Sequence, residues 1–262
     1  MERPPDAVPV DDVVRELRAA GSVFAEEEAA LLLDEARDDR DLRRMLDRRV
    51  AGVPLEHVLG WAEFHGQRIR VTDGVFVPRR RTALLVETAL GLAPRRALDL
   101  CCGSGAVGRA LEVALPGCEV WAADLSPAAV ACARTNLSRP DRVVAGDLYA
   151  ALPEALRGTF DVVVANAPYV PTAELDFLPQ DARLHEPASA LDGGSDGLDL
   201  QRRVASGARE WLRPGGSLLV ETSVRQAEAS RQAMEAAGLR AGILRSEELD
   251  ATVAVGVYPL SP

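Results

Sequence analysis

A chain of 262 residues, 47% of them hydrophobic, can bury a substantial core, as one large domain or as a domain with a small appendage. A net charge of −10 argues against a large nucleic-acid footprint, because phosphate neutralisation shows as a basic face. No apolar run approaches the roughly 18 residues of a membrane helix, and MERPPDAVPVDD is polar where a signal peptide is apolar, so a soluble cytoplasmic protein with no membrane partner is expected.

Residues 10–52 carry helical periodicity in three pieces, VDDVVRELRAAG, AEEEAALLLDEAR and RDLRRMLDRRVAG, which predict a small helical bundle. Residues 53–77 switch to period two. Phe64, Ile69 and Val71 among polar neighbours, with His65-Gly66 at a turn, predict a hairpin bridging two domains, in which Trp61 and Phe64 serve the core.

From about residue 82 strands and helices alternate, the mark of an α/β, doubly wound parallel sheet. Strands are predicted at 96–100, 118–124, 141–147, 160–166, 216–222 and 251–258. Helices are predicted at 108–115, at 126–137 with Ser126 as N-cap and Pro127 at the first helical position, and at 225–237. Asp161 is expected to start its strand, and Glu186 to pair with an arginine such as Arg183 or to form a surface salt bridge. Cys101, Cys102, Cys118 and Cys132 lack C-x-x-C spacing and His57, His65 and His185 are scattered, so reduced thiols and no metal site are expected.

Sheets of this kind bind ligands at the carboxyl ends of their strands. The first strand ends in LDLCCGSGAVG, where Gly103 and Gly105 let the backbone pass close to a ligand. Asp124 closes the second strand about 20 residues on, where an acidic residue grips ribose hydroxyls. Asp147 ends the third. Asp99, Asp124 and Asp147 around one glycine loop suit a nucleoside with a charged tail, which suggests S-adenosylmethionine, leaving S-adenosylhomocysteine as product. A dinucleotide fits less well, because the pattern is not G-x-G-x-x-G.

The fourth strand runs into Asn166-Ala167-Pro168-Tyr169. A planar nitrogen is a poor nucleophile and must be presented in line with the methyl donor. Two acceptors that take both of its N–H groups fix that orientation, and the Asn166 side-chain oxygen and the Ala167 carbonyl can supply them. Pro168 stiffens the turn and Tyr169 offers a flat face for stacking.

GDLY followed by FDVVVANAPYVP and RLHEPASALDGGSDGLD resembles the protein-(glutamine-N5) methyltransferases that modify the glutamine of the Gly-Gly-Gln tip in peptide-chain release factors. RRVAGVPLEHVLGWAEFHGQRIRV, VFVPRRRTALLVETAL, ALDLCCGSGAVG and AADLSPAAVACARTN extend the likeness over nearly the whole chain. The resemblance implies a mostly parallel seven-stranded Rossmann-like sheet, with residues 1–55 as a helical substrate-recognition domain, 56–81 as a hairpin linker and 82–262 as the methyltransferase domain. It implies that Asp99, Cys101, Cys102, Gly103, Ser104, Gly105, Asp124, Leu125, Asp147, Leu148 and Asn166 form the cofactor site. Asn166, Ala167, Pro168 and Tyr169 would hold the substrate amide of a protein partner, with the enzyme a monomer. The chain departs from the family pattern at Ala167, where the family has proline, at Cys101, where it has glycine, and at Arg81, where it has glutamate. Two other functions remain open on sequence: methylation of an exocyclic amine in RNA or DNA, and a catalytically impaired cofactor-binding module.

Overall fold

The computed structural model describes residues 9–260. Residues 1–8 and 261–262, at the outer ends of the expected helical and methyltransferase domains, lie outside the described residues.

Helices α1 (Val10–Ala19), α2 (Ala25–Glu35) and α3 (Asp39–Val50) turn the apolar positions of their three-and-four repeats toward one another. Val13, Leu17, Leu32, Leu42 and Leu46 form a cluster that also takes in Val58. The period-two pattern expected from residue 53 begins later. Leu55–Leu59 is a short helix, α4, closed by Gly60 at φ 80°. Its Leu55, Val58 and Leu59 pack on the helical cluster, and that burial overrides the strand pattern. The hairpin is β1 (Trp61–Phe64) and β2 (Gln67–Arg70), with His65 and Gly66 at positive φ in its turn.

The rest of the described chain runs α5 (Ala83–Gly91), β3 (Arg96–Leu100), α6 (Ala106–Ala114), β4 (Glu119–Asp124), α7 (Pro127–Asn136), β5 (Val143–Ala145), β6 (Phe160–Ala165), α8 (Gln180–His185), α9 (Asp199–Trp211), β7 (Leu212–Thr222), α10 (Ala227–Ala236), β8 (Arg240–Ser246) and β9 (Ala251–Val257), with short 3-10 turns between. Seven strands form one sheet in the order β5-β4-β3-β6-β7-β9-β8. The pairs β5-β4, β4-β3, β3-β6 and β6-β7 are parallel, and β9 runs antiparallel to both its neighbours. Strand β8 has no counterpart among the six strands predicted at stated positions. It is an edge strand with three exposed arginine or leucine side chains, so it lacks a continuous apolar run.

Alternate strand residues feed opposite faces, as the two-residue period requires. Ala97, Val162, Val164 and Leu219 pack with α5, α6 and α7, whereas Leu98, Val163, Leu218 and Val220 pack with α9 and α10. The Ser126 hydroxyl accepts from Ala129 N, with Pro127 opening α7 as expected. Asp161 is the second residue of β6; its carboxylate accepts from the backbone N of Arg95 and Arg96 at 2.8 and 2.7 Å, tying the start of β6 to that of β3. Among the described residues no helix is long and apolar enough to cross a membrane.

Candidate active site

The chain leaves β3 outward through β4 to β5, then returns to place β6 on the other side of β3. Such a reversal opens a crevice at the carboxyl ends of the strands. Leu100 lies in register with Ala165 of β6 and with Ala123 of β4, so the segments beginning at Cys101 and Asn166, together with Asp124, emerge side by side. They line a cleft of about 470 Å³, within the usual size for a small-molecule site. Asp99, Cys101, Cys102, Gly103, Ser104, Asp124, Leu125, Asp147, Leu148 and Asn166 to Tyr169 all contribute to it. Gly105 stands behind this lining. It has φ 77°, and a Cβ there would approach the Ala133 Cβ to 3.0 Å, so glycine lets α6 start tight against α7.

The three aspartates have distinct surroundings. Asp124 Oδ2 accepts from Gly103 N and its Oδ1 from Ser126 N, both at 2.8 Å, which aims the carboxylate over the loop. Asp147 is paired with Arg203 at 2.7 Å, and both side chains line the cleft. Asp99 is almost fully buried and its Oδ2 accepts from Gly108 N at 2.8 Å, so this oxygen serves the start of α6. Burial pushes the Asp99 carboxyl up to about 8. Burial also raises the Cys101 and Cys102 thiols, which makes both inert as nucleophiles. Cys101 holds φ 58°, the left-handed conformation that favours the glycine found there in the family pattern.

At the acceptor turn the Asn166 Nδ2 donates to the Thr82 hydroxyl at 3.2 Å. Its Oδ1 accepts from no described residue, and neither does the carbonyl of Ala167. Two oxygens are therefore free at the cleft wall. The Tyr169 hydroxyl donates to Glu221 at 3.3 Å, and the Arg81 guanidinium lies 5.7 Å from the Tyr169 ring.

The segment 186–199 is seated on this turn by backbone bonds. Val170 N donates to Leu191 O at 3.0 Å and Gly193 N to Val170 O at 2.9 Å. A Cβ on Gly197 would meet Tyr169 O at 2.3 Å, which explains why glycine is needed in GGSDGLD. Glu186 corrects its expectation: its partner is Arg79 at 2.7 Å, with a further bond from Val77 N at 3.1 Å, and the carboxylate is fully buried. Arg183 is not involved, and the pair is no surface salt bridge. Arg81 pairs with Glu221, so two members of the Arg79-Arg80-Arg81 triplet are neutralised.

Sequence reasoning missed Thr82, Glu221 and Arg203. Glu221 carried a signal, being an acid near the end of a buried strand like Asp124. Thr82 and Arg203 carried none that spacing reveals.

The methyltransferase small domain family matches residues 68–240. The release factor glutamine methyltransferase of Bordetella pertussis is 42% identical over 205 residues, covering 76% of this chain and 75% of that protein. The chain belongs to the release factor glutamine methyltransferase family. Its match to the Geobacter sulfurreducens member, 42% identical over 191 residues, covers 71% of this chain and 66% of that protein, and that to the Bifidobacterium longum member, 34% over 258 residues, covers 84% and 87%. Among solved structures, a methyltransferase from Pyrococcus furiosus superposes with a TM-score of 0.58 at 17% identity, covering 84% of this chain and 98% of that one, a likeness of fold. This member of the release factor glutamine methyltransferase family carries Ala167 where the family pattern has proline, and the Ala167 carbonyl has no hydrogen-bond donor among the described residues.

Proposed function

We propose that this chain transfers a methyl group from S-adenosylmethionine to the side-chain amide nitrogen of a glutamine in a peptide-chain release factor, at its Gly-Gly-Gln motif. The observation that carries the reading is the pair of free acceptors, Asn166 Oδ1 and the Ala167 carbonyl, at the wall of the glycine-loop cleft. A primary amide has two N–H donors, and this pair matches them.

The cleft suits the cofactor in size and donor set. Both Asp124 oxygens keep a lone pair beyond their backbone bonds, enough for two ribose hydroxyls, and Asp147 keeps one oxygen beyond Arg203 for an adenine amino group. Leu125 and Leu148 would flank the base; Asp99, Cys101, Cys102, Gly103 and Ser104 would form the floor, with Gly105 behind them letting α6 start close to it. Bound there, the cofactor supplies an electrophilic sulfonium methyl. Asn166 and Ala167 orient the acceptor nitrogen and favour the positive charge that develops on it; Tyr169 and Pro168 limit its movement. No strong base is required, since the methylated nitrogen sheds its proton readily.

The doubly wound Rossmann-like class is supported by helical layers on both sheet faces. The separate apolar cluster of α1–α4 supports a helical substrate-recognition domain that runs to Leu59, a few residues past the expected boundary at 55, followed by the hairpin linker and the methyltransferase domain over 82–262. A monomeric, cytoplasmic enzyme is part of the same reading. Neutralisation of Arg79 and Arg81 favours a protein over a nucleic-acid substrate. The test is transfer of labelled methyl to purified release factor and to total RNA side by side; label in the protein alone supports the reading, and label in RNA alone overturns it.

A further inference from the structure

Ser104 is buried in the glycine loop, and a buried carbonyl needs a hydrogen-bond partner. The N–H four residues on, at Gly108, does not supply one, because it donates to Asp99 Oδ2 at 2.8 Å. The partner of Ser104 O is a side chain, Asn136 at the end of α7, whose Nδ2 donates to it at 2.8 Å. Among the described residues no other group donates to that carbonyl.

The same amide meets the hairpin. Asn136 Oδ1 accepts from Arg70 N at 2.9 Å and Nδ2 donates to Arg70 O at 2.9 Å, so the amide pairs with the outer edge of β2 as the backbone of another strand would. Both N–H groups of Nδ2 are thereby used, one on β2 and one on the glycine loop, and a flipped amide would set its oxygen against both carbonyls. The hairpin follows the helical domain and runs on into Gly74, Val75, Phe76 and Pro78, which line the cleft together with Ser104, whereas β2 itself lines none of it. One amide therefore ties together two parts of the cleft lining, the loop after β3 and the segment after the hairpin.

We infer that Asn136 is a positioning residue for the cofactor: it fastens the glycine loop to the hairpin, so that the loop and the hairpin exit stand in place before the cofactor arrives. A loop free to drift from the hairpin has to be ordered on binding, and that ordering lowers affinity. The inference rests on the reading of this cleft as the S-adenosylmethionine site. The link also works in the other direction. With the loop held by a bound ligand, β2 opens less often, although it touches no part of the cleft. The Cys132 thiol donates to Arg70 O at 3.2 Å, so the hairpin keeps one bond to α7 in a variant at position 136.

The test uses the full chain with S-adenosylhomocysteine as probe. Hydrogen exchange of the β2 amides, read by NMR, should slow by at least about threefold when wild type is saturated with the probe, and the slowing should vanish in Asn136→Ala. Calorimetry should show about threefold to tenfold weaker binding by Asn136→Ala, the worth of one neutral hydrogen bond. Asn136→Asp should lose at least as much, since it keeps an acceptor for Arg70 N but turns an oxygen toward the Arg70 and Ser104 carbonyls. The isosteric aspartate and the wild-type exchange report even where Asn136→Ala folds poorly. A purely structural Asn136 would lower thermal stability and leave probe affinity unchanged, which overturns the inference. Slowing at β2 that is absent in wild type, or that persists in Asn136→Ala, also overturns it. Asp124→Ala separates the inference from the reading beneath it. If that variant loses the probe while both Asn136 variants bind as wild type does, the cofactor site stands and the role of Asn136 is refuted; if Asp124→Ala binds as wild type does, the cofactor site is refuted and the inference with it.

Discussion

Asp124 and Gly103 are joined by a hydrogen bond from the Gly103 N–H to Asp124 Oδ2 at 2.8 Å, so the carboxylate at the end of β4 holds the glycine loop that follows β3. With Ser126 N on the other oxygen, the carboxylate cannot swing away from the cleft. Asp124→Ala should weaken S-adenosylmethionine binding by about tenfold to a hundredfold, the worth of losing one or two bonds to a charged acceptor, measured by isothermal titration calorimetry. Unchanged affinity would remove Asp124 from the site.

Burial lifts the Asp99 carboxyl to about 8, against the opposing bond from Gly108 N and helped by the Asp124 charge. An aspartate in the unfolded chain titrates near ~3.9. Between these values the folded protein binds a proton that the unfolded chain has released, so stability falls as pH rises across the window. Thermal unfolding of the cofactor-free protein should show a declining Tm from about pH 5 to about pH 8, and Asp99→Asn, which keeps an oxygen for Gly108 N, should flatten the decline. An identical slope in the variant would show that Asp99 is not its source.

Cys101 carries a side chain at φ 58°, a conformation that costs an L-residue roughly 1–2 kcal/mol. Cys101→Gly relieves that cost and gives back part of it in unfolded-chain entropy, so a gain of up to about 1 kcal/mol in urea denaturation is expected. Cys101→Val, with its β-branched side chain, should lose about 2 kcal/mol. Equal stability of the two variants would mean that the loop relaxes freely.

Glu186 joins the 186–199 segment to the chain leaving the hairpin, through Arg79 and Val77 N. Arg79→Ala leaves a buried carboxylate with only the backbone bond and should destabilise by about 1–2 kcal/mol, less than a fully buried pair because the arginine is partly exposed. Glu186→Gln should cost less, since an amide oxygen can still accept from Val77 N. Chemical denaturation of both variants checks the order, and the reverse order would contradict it.

The strand ends were legible because a buried parallel strand is a continuous apolar run and the residue that stops it is conspicuous. Cys101, Asp124 and Asn166 all announced themselves in this way, and all line one cleft. Edge strand β8 has no such run, and α4 hid within a stretch whose alternation reads as strand until the helical cluster is seen to take Val58. The partners of Glu186 and Asn166 were out of reach for a different reason. Arg79 and Thr82 lie 107 and 84 positions away along the chain, and pairing over such distances is decided by topology rather than by local pattern. Arg81, a departure in sequence, finds its meaning only opposite Glu221.

The central claim is that Asn166 and Ala167 present a glutamine amide to the methyl donor. Tandem mass spectrometry of the Gly-Gly-Gln peptide, after incubation of release factor with S-adenosylmethionine and either wild-type enzyme or Asn166→Ala, tests it most directly. The account predicts N5-methylglutamine with wild type and a loss of at least about a hundredfold in rate for a variant that still binds cofactor. Methylation of that glutamine by Asn166→Ala at the wild-type rate would contradict it.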